Sequence, residues 1–511
     1  MTHQRRFRWP GVMAALAGVV AGGVTLGVGE LASLLVGPMT SPFFAVGNTI
    51  VDLTPEWLKS FAISTFGEND KNVLLLTLGA VLTLFAAVAG WLQLRRPPLG
   101  LMLVALLGVA AIAAAVNRPG SDAAYAIPSI IGVTAGITTL WLLVRQPSEP
   151  TNIVSGADRR RFLMLTAGAA GLAVFAFLGS RRLGQTRQDV LEARDRLRMP
   201  RAADPAPSLP ADVELDVDGV TPFTTPNSDF YRVDTALEVP VVHPDDWQLR
   251  IHGMVDRTVV LTFDQLVSLP LVERMITLTC VSNEIGGNLA GSAVWRGYPL
   301  EELLLEAGPD ANADMVLSTS VDGYTASTPL DVLTDGRDAL LAVAMNGEPL
   351  PLRHGFPVRM VVPGLYGYVS ATKWVVDLEV TRFDQATAYW TDRGWADRAP
   401  IKTASRIDVP GSFARLDAGT NVVAGVAWAQ HRGISRVEVN VDDGPWQDAE
   451  LTAEASADTW RQWFWDWDAT PGRHTLRVRA TDGDGELQTS DKAPPIPDGA
   501  SGWHSVVVEV V

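Results

Sequence analysis

The chain has a single cysteine, Cys280, in 511 residues, so no intramolecular disulfide can form and packing must hold the fold in whatever compartment it occupies. Histidine is almost as sparse. The seven are His3, His243, His252, His354, His431, His474 and His504, and none falls within a long apolar run. A bis-histidine haem inside a bilayer is thereby excluded, and one thiol cannot bind a conventional iron–sulfur cluster, so neither haem nor iron–sulfur chemistry is expected. No Cys/His spacing fits a zinc site, and no second thiol permits dithiol redox chemistry. Carboxylates are also rare in the apolar runs, with Glu30 the main candidate, which gives little support to a proton or ion pathway.

Basic charge is lacking in the C-terminal part. Residues 1–204 carry 19 Lys/Arg against 12 Asp/Glu, a net of +7, which leaves −23 for residues 205–511 out of the total of −16. So acidic a segment argues against nucleic-acid binding, which needs a basic face to neutralise phosphates. The first part suits lipid headgroups and the second suits water.

A chain of this length exceeds what one hydrophobic core organises, and two or three domains are expected. Five apolar segments, roughly 11–36, 73–92, 99–116, 125–144 and 162–179, are long enough to cross about 30 Å of hydrocarbon. They predict a membrane domain over residues 1–180. The stretch from Ser41 to Phe66, broken by Pro42, Asp52, Pro55, Glu56 and Lys59, reads as an interfacial or re-entrant segment. Arg5, Arg6, Arg8, Arg95, Arg96, Arg145 and Arg159 to Arg161 share one side, which the positive-inside rule makes cytoplasmic. Five crossings then carry the remainder outside, although seven arginines from Arg181 to Arg201 oppose that orientation. Arg159-Arg160-Arg161-Phe162-Leu163 resembles the core of a twin-arginine export signal, and it can also be read as an ordinary basic helix flank. The expected location is the cell membrane, multi-pass, with the soluble domains on the extracytoplasmic side.

Residues 181–212 form a linker, rich in Pro and Ala from Pro200 to Pro210. Over 213–395, β runs such as Trp247 to Ile251 alternate with helical patterns such as Leu261 to Leu269 and Leu300 to Ala307, predicting a mixed α+β domain. Over 396–511 short strands separated by turn signals such as Asp442-Asp443-Gly444 predict an immunoglobulin-like β-sandwich. Trp460, Trp463, Trp465 and Trp467 are assigned to its packing.

Cys280 ends the apolar strand Met275-Ile276-Thr277-Leu278-Thr279 and opens a polar loop with Gly286 and Gly287, a position where functional groups are presented. An inert buried thiol and a thiolate bound to a high-valent metal are the two readings that remain. Thr279-Cys280-Val281-Ser282-Asn283, followed by Trp295-Arg296-Gly297-Tyr298-Pro299-Leu300, resembles the molybdenum-ligand region of the sulfite oxidase family. Thr225 to Arg232 is similar to that family's first cofactor-contacting loop. Met345-Asn346-Gly347-Glu348-Pro349-Leu350-Pro351, His354-Gly355-Phe356-Pro357-Val358-Arg359, Ser370 and Lys373-Trp374 continue the match.

The resemblance covers about residues 213–505 and implies a sulfite-oxidase-like molybdopterin domain with Cys280 as the molybdenum ligand. Arg359 and Lys373 would hold the phosphate dianion of the pterin, the first bidentately and the second as a point charge. His354 would donate to the pterin or phosphate. Asn227, Ser228, Tyr231, Arg232, Asn283, Ser320 and Ser370 complete the expected cofactor contacts.

The implied activity is oxo transfer on a small-molecule substrate, with electrons exchanged with a separate protein or a quinone. The C-terminal sandwich looks like the family's dimerisation domain, which implies a homodimer. Where the family has adjacent arginines after the ligand cysteine this chain has Glu284 and Ile285, and where it has a tyrosine before Met-Asn-Gly it has Val343. Sulfite is therefore in doubt. One alternative is a sulfite dehydrogenase with a rebuilt anion site using Arg232, and another is a non-catalytic receptor or scaffold on the same fold.

Overall fold

The computed structural model describes residues 9–36, 40–55, 70–117, 123–144 and 186–511, with the single positions 58, 65, 121, 167, 168 and 171. The chain divides into two compact units, residues 1–188 with 236–238, and residues 189–235 with 239–511.

Four helices of the first unit are long and apolar enough to cross a membrane: α1 (Trp9–Val36), α3 (Asp70–Arg95), α4 (Leu99–Val116) and α5 (Ile127–Val144). Between the first two lies α2 (Pro42–Leu53), only 12 residues long and at 1.5 Å per residue too short to span. This is the segment read as interfacial. Its N-terminal residue Ser41 makes no side-chain cap and instead donates its hydroxyl to the Glu30 carboxylate at 2.5 Å, so the main acidic residue of the apolar helices has a local structural partner. The fifth expected span, 162–179, and the arginine triplet 159–161 lie almost wholly outside the described residues.

α1 packs along α5 and α3. Its closest approach to α3 is made by Gly18 and Gly90, where a Cβ on either would run into backbone of the facing helix, Ala86 and Ala14 respectively. Lipid provides no hydrophobic drive between helices, so such small-residue contacts are what bring backbones together. Gly90→Leu is expected to cost more than about 3 kcal/mol through overpacking. It should show as loss of the monodisperse, detergent-extracted peak, whereas Gly79→Leu, at a position with no atom in reach of a Cβ, should be tolerated.

The second unit is β-rich and contains what were expected as two domains. Helix α6 (Thr186–Arg196) begins at its border and occupies part of the expected linker. Asp189 in its first turn and Arg194 and Arg196 in its last complement the helix dipole. Arg194 anchors it by donating to the carbonyls of Leu350 (2.8 Å) and Pro349 (2.6 Å). The Pro/Ala stretch beyond is not free either, because Asp204 bridges to Val272 and pairs with Arg274 at 2.7 Å.

Two sheets build the first half of this unit. One has the order β2-β1-β10-β5-β6, from β1 (Gln248–Gly253), β2 (Val259–Thr262), β5 (Met315–Ser320), β6 (Thr325–Pro329) and β10 (Val375–Thr381). The other runs β3-β4-β7-β8 with β9 on β7, from β3 (Val272–Thr279), β4 (Ala290–Pro299), β7 (Leu340–Met345), β8 (Glu348–Pro349) and β9 (Arg359–Val361). Helix α7 (Phe263–Ser268) opens on a capping box of Thr262 and Gln265. Helix α8 (Leu300–Ala307) buries Leu300, Leu303, Leu304 and Ala307, one face at helical spacing, and stops at Gly308 in the left-handed conformation.

From Ala404 onward a four-stranded sheet, β11-β13-β17-β16, faces a five-stranded one, β12-β19-β18-β14-β15. The strands are β11 (Ala404–Val409), β12 (Arg415–Leu416), β13 (Gly419–Trp428), β14 (Ile434–Val441), β15 (Gln447–Asp448), β16 (Glu450–Leu451), β17 (Arg461–Ala469), β18 (Gly472–Asp482) and β19 (His504–Val510). Trp463 and Trp467 lie in the core between them, with Trp465 packed against it. Trp460 belongs instead to the preceding core and donates its indole N–H to the Phe223 carbonyl at 2.9 Å.

Candidate active site

Strand β3 carries five consecutive buried residues to its end and delivers Cys280 into a short loop. The loop is closed on itself. The Cys280 amide donates to the Leu289 carbonyl (2.9 Å), the Asn283 amide to the Cys280 carbonyl (3.0 Å), and the Leu289 amide to Asn283 Oδ1 (2.8 Å). Residues after Ala404 hold both the strand and its loop: Gln430 Nε2 donates to Thr279 Oγ1 (2.9 Å) at the end of β3, and Arg406 Nη1 to the Gly287 carbonyl (2.7 Å) in the loop.

Cys280 lines an open cavity of about 740 Å³, solvent at its mouth included, together with Tyr231, Ser320, His354, Arg359 and Lys373. The two cations come from neighbouring chain segments joined by an isolated antiparallel bridge, Arg359 to Lys373. Gly355 permits this approach, since its φ is +109° and a Cβ there would press on Arg359 and Lys373 at 3.0 and 3.1 Å.

Arg359 is 5% exposed, and its guanidinium reaches only the carbonyls of Met360, His354 and Ala371, at 3.2–3.3 Å, with Trp295 beneath it at 5.0 Å. Burial pushes its pKa down to about 10. Lys373 is pushed down to about 8 by burial, opposed by the Asp234 carboxylate that it meets at 3.0 Å. His354 is 1% exposed and is driven to about 3 by burial and then by Arg359 and Lys373, so its imidazole is neutral. Burial likewise lifts the Tyr231 phenol well above its ordinary value. The Cys280 thiol is raised by burial, opposed by hydrogen bonds from Ser282 and by Lys373.

The depressed histidine fixes a sign. In cofactor-free protein the unfolded chain takes up a proton below about pH 6.5 that folded His354 refuses until about pH 3. This contribution to stability is therefore complete above pH 6.5 and declines as pH falls toward 3. Between pH 7 and 4.5 the loss amounts to about 2–3 kcal/mol. Denaturant midpoints of apo protein should show this acid limb, and His354→Gln should flatten it.

Five expected cofactor contacts are not in the cavity lining. Arg232 turns to Asp234, at 2.8 Å. Asn227 binds the Met345 carbonyl and Glu348 and receives Asn346, tying the first loop to the Met-Asn-Gly turn. Ser228 donates to Asp229, and Ser370 donates to the carbonyls of Leu365 and Tyr366. Asn283 holds the cysteine loop and lines a second, smaller cavity with Glu284 and Ile285. Val343 is fully buried in β7.

Residues that sequence reasoning passed over take their place: Asp234, Asp322, Tyr324, Tyr368 and Trp390 line the cavity with Cys280. The visible signal for two of them was the Asp322-Gly323 turn between β5 and β6.

The donors fit an anionic, many-acceptor cofactor. Ser320 Oγ is buried and has no protein partner, while Arg359 makes only long bonds to carbonyls. Among the described residues no group of three or more His, Cys, Asp or Glu could hold a metal ion, so a metal at Cys280 would take its other donors from a cofactor.

Residues 236–390 match the oxidoreductase molybdopterin binding domain, which defines the class. The chain is 30% identical to mitochondrial sulfite oxidase of Rattus norvegicus over 342 residues, covering 57% of this chain and 62% of that enzyme's length. It is 32% identical over 165 residues to the uncharacterized oxidoreductase YuiH of Bacillus subtilis, covering 30% of this chain and 80% of that protein. The sulfane dehydrogenase SoxCD from Paracoccus pantotrophus shares the fold, with a TM-score of 0.50 and 24% identity over 57% of this chain and 82% of that one. The chain belongs to the sulfite oxidase family of molybdenum-dependent oxidoreductases.

Proposed function

We propose that this chain is a membrane-anchored oxidoreductase that transfers an oxo group to or from a small molecule at Cys280 and exchanges electrons with a separate carrier protein or a quinone. The observation that carries the reading is the convergence of the only thiol with Arg359, Lys373 and the partnerless Ser320 hydroxyl on one cavity. When bound, molybdopterin supplies the oxo-transfer and electron-accepting chemistry. Cys280 would ligate the metal. Arg359 and Lys373 would neutralise the phosphate, Ser320 would donate to the cofactor, and neutral His354 would offer a hydrogen bond without adding charge.

Residues 1–180 would be the anchor, supported by the four apolar helices, with 213–395 the catalytic domain outside the cytoplasm. Residues 396–511, whose two facing sheets suit an immunoglobulin-like sandwich, would mediate a homodimer. Arg232 is engaged by Asp234, so no observation favours the alternative in which it rebuilds a sulfite site.

Detergent-purified protein should contain about one molybdenum per chain, and metal-free preparations from a cofactor-competent host would overturn the reading. Protease added to intact spheroplasts should degrade residues 213–511. Their protection until the membrane is ruptured would overturn the sidedness.

A further inference from the structure

The loop that presents Cys280 is held from outside at its far end. Gly286 has a φ of +75°, and a Cβ there would collide with the imidazole of His504, so the ring lies directly against the loop backbone. The next residue, Gly287, gives its carbonyl to Arg406 Nη1 at 2.7 Å. A Cβ on Gly287 would in turn press on Asn283 Oδ1 at 2.5 Å, the atom that accepts from the Leu289 amide. The Asn283 amide donates to the Cys280 carbonyl at 3.0 Å. A shift of Gly286 and Gly287 therefore passes through Asn283 to Cys280.

The two clamping side chains come from different sheets and are themselves fixed. Arg406 lies on β11, in the four-stranded sheet, and His504 opens β19, in the five-stranded one. His504 Nδ1 accepts from the Ile407 amide of β11 at 3.1 Å, which ties the two strands together and leaves the ring proton on Nε2. Burial and then Arg406 hold the His504 pKa below its ordinary value, against the pull of Asp408. The Arg406 side chain is 8% exposed and fully engaged: besides Gly287 it meets Asp408 Oδ1 at 2.5 Å and Thr221 Oγ1 at 2.7 Å, while Asp408 Oδ2 accepts from the Thr221 amide at 3.0 Å. Desolvation offsets much of the attraction in a buried ion pair, so apolar groups of similar volume can fill such a space with little loss of stability. What apolar groups cannot supply is the directed bond to Gly287.

We propose that Arg406 and His504 are positioning residues for Cys280: from two sheets they hold Gly287 and Gly286, and so fix the direction in which the sulfur is offered to the metal. This rests on the reading of Cys280 as a metal ligand and adds to it the residues that aim the ligand. Groups that orient a metal ligand from outside are worth roughly 10- to 100-fold in affinity or rate.

Cys280 is the only thiol in the chain, so its alkylation by iodoacetamide reads the loop directly in full-length, cofactor-free protein. Arg406→Met/Asp408→Leu, which replaces the ion pair by apolar groups, should be alkylated about tenfold faster than wild type at an unchanged denaturant midpoint, as expected for one lost charge-assisted hydrogen bond. Gly286→Ala, which pushes the loop off His504, should be alkylated about tenfold faster too, and it decides the matter if the double variant does not fold. In holoenzyme reduced by one electron with dithionite, both variants should shift the electron paramagnetic resonance g-values of molybdenum. Alkylation that rises only as far as a lowered midpoint accounts for would overturn the inference, as would unshifted g-values in metal-loaded variants. Metal-free wild type from a cofactor-competent host contradicts the cofactor reading and this inference with it, whereas metal-loaded wild type with unshifted variants contradicts this inference alone.

Discussion

Cys280→Ser is expected to give a folded protein without turnover. The side chain is 8% exposed, ends strand β3 and faces the cavity, so exchanging sulfur for a hydroxyl disturbs packing little and should cost the apo fold about 1 kcal/mol. A hard hydroxyl is a poor replacement for a thiolate on a metal that prefers sulfur. Changes to groups that merely surround metal ligands already cost roughly 10- to 100-fold, and loss of the ligand itself should exceed that. The loop around the site should survive, because the bonds among Cys280, Asn283 and Leu289 use backbone atoms and the Asn283 side chain, not the thiol. Turnover with artificial donors and acceptors, alongside an unchanged circular dichroism spectrum, is the check. A variant that keeps wild-type activity would show that Cys280 is only a core residue.

The second large effect is expected at the two cations. Arg359→Leu and Lys373→Met should each reduce cofactor affinity by about 10- to 100-fold, since charge-assisted hydrogen bonds contribute roughly 1.5–3 kcal/mol apiece. They should differ in their effect on the empty protein. Lys373 shares Asp234 with Arg232, so its removal leaves that carboxylate paired and the apo stability nearly unchanged. Arg359 has no such understudy: its loss strands the carbonyls of His354 and Ala371 in the interior and should lower apo stability by about 1–3 kcal/mol. Pterin released from purified protein measures the first effect, and thermal melts of protein from a cofactor-deficient host measure the second. Equal cofactor content in Lys373→Met and wild type would remove Lys373 from the phosphate site.

Local pattern carried the elements whose cause is local. Leu300 to Ala307 has an apolar face at helical spacing and a glycine stop, and it is α8. The Val506 to Val510 alternation is the greater part of β19, and the four described helices long and apolar enough to cross a membrane follow apolar length alone. Elements fixed by distant partners were not visible. The two-residue strands β15 and β16 exist because β14 and β17 offer edges, and α6 occupies part of the expected linker 181–212, ahead of the Pro/Ala-rich stretch Pro200 to Pro210 that suggested it.

The site shows the same division. Among the residues that the motifs marked, Cys280, Tyr231, Ser320, His354, Arg359 and Lys373 meet in one cavity. A motif does not say which way a side chain turns. Arg232 and Ser370 sit in marked segments yet spend their donors on Asp234 and on a backbone turn. The carboxylate expected against an anionic substrate was assigned to Glu284, which lies in the second cavity, while Asp322 and Asp234, from other segments, line the one with Cys280.

The central claim is that Cys280 sulfur ligates molybdenum, and molybdenum K-edge X-ray absorption of holoenzyme tests it most directly. Wild type should show one more sulfur scatterer on molybdenum than Cys280→Ser protein that retains the metal, or else the variant should lose the metal altogether. Equal metal content with an unchanged sulfur shell in the two proteins would contradict the account.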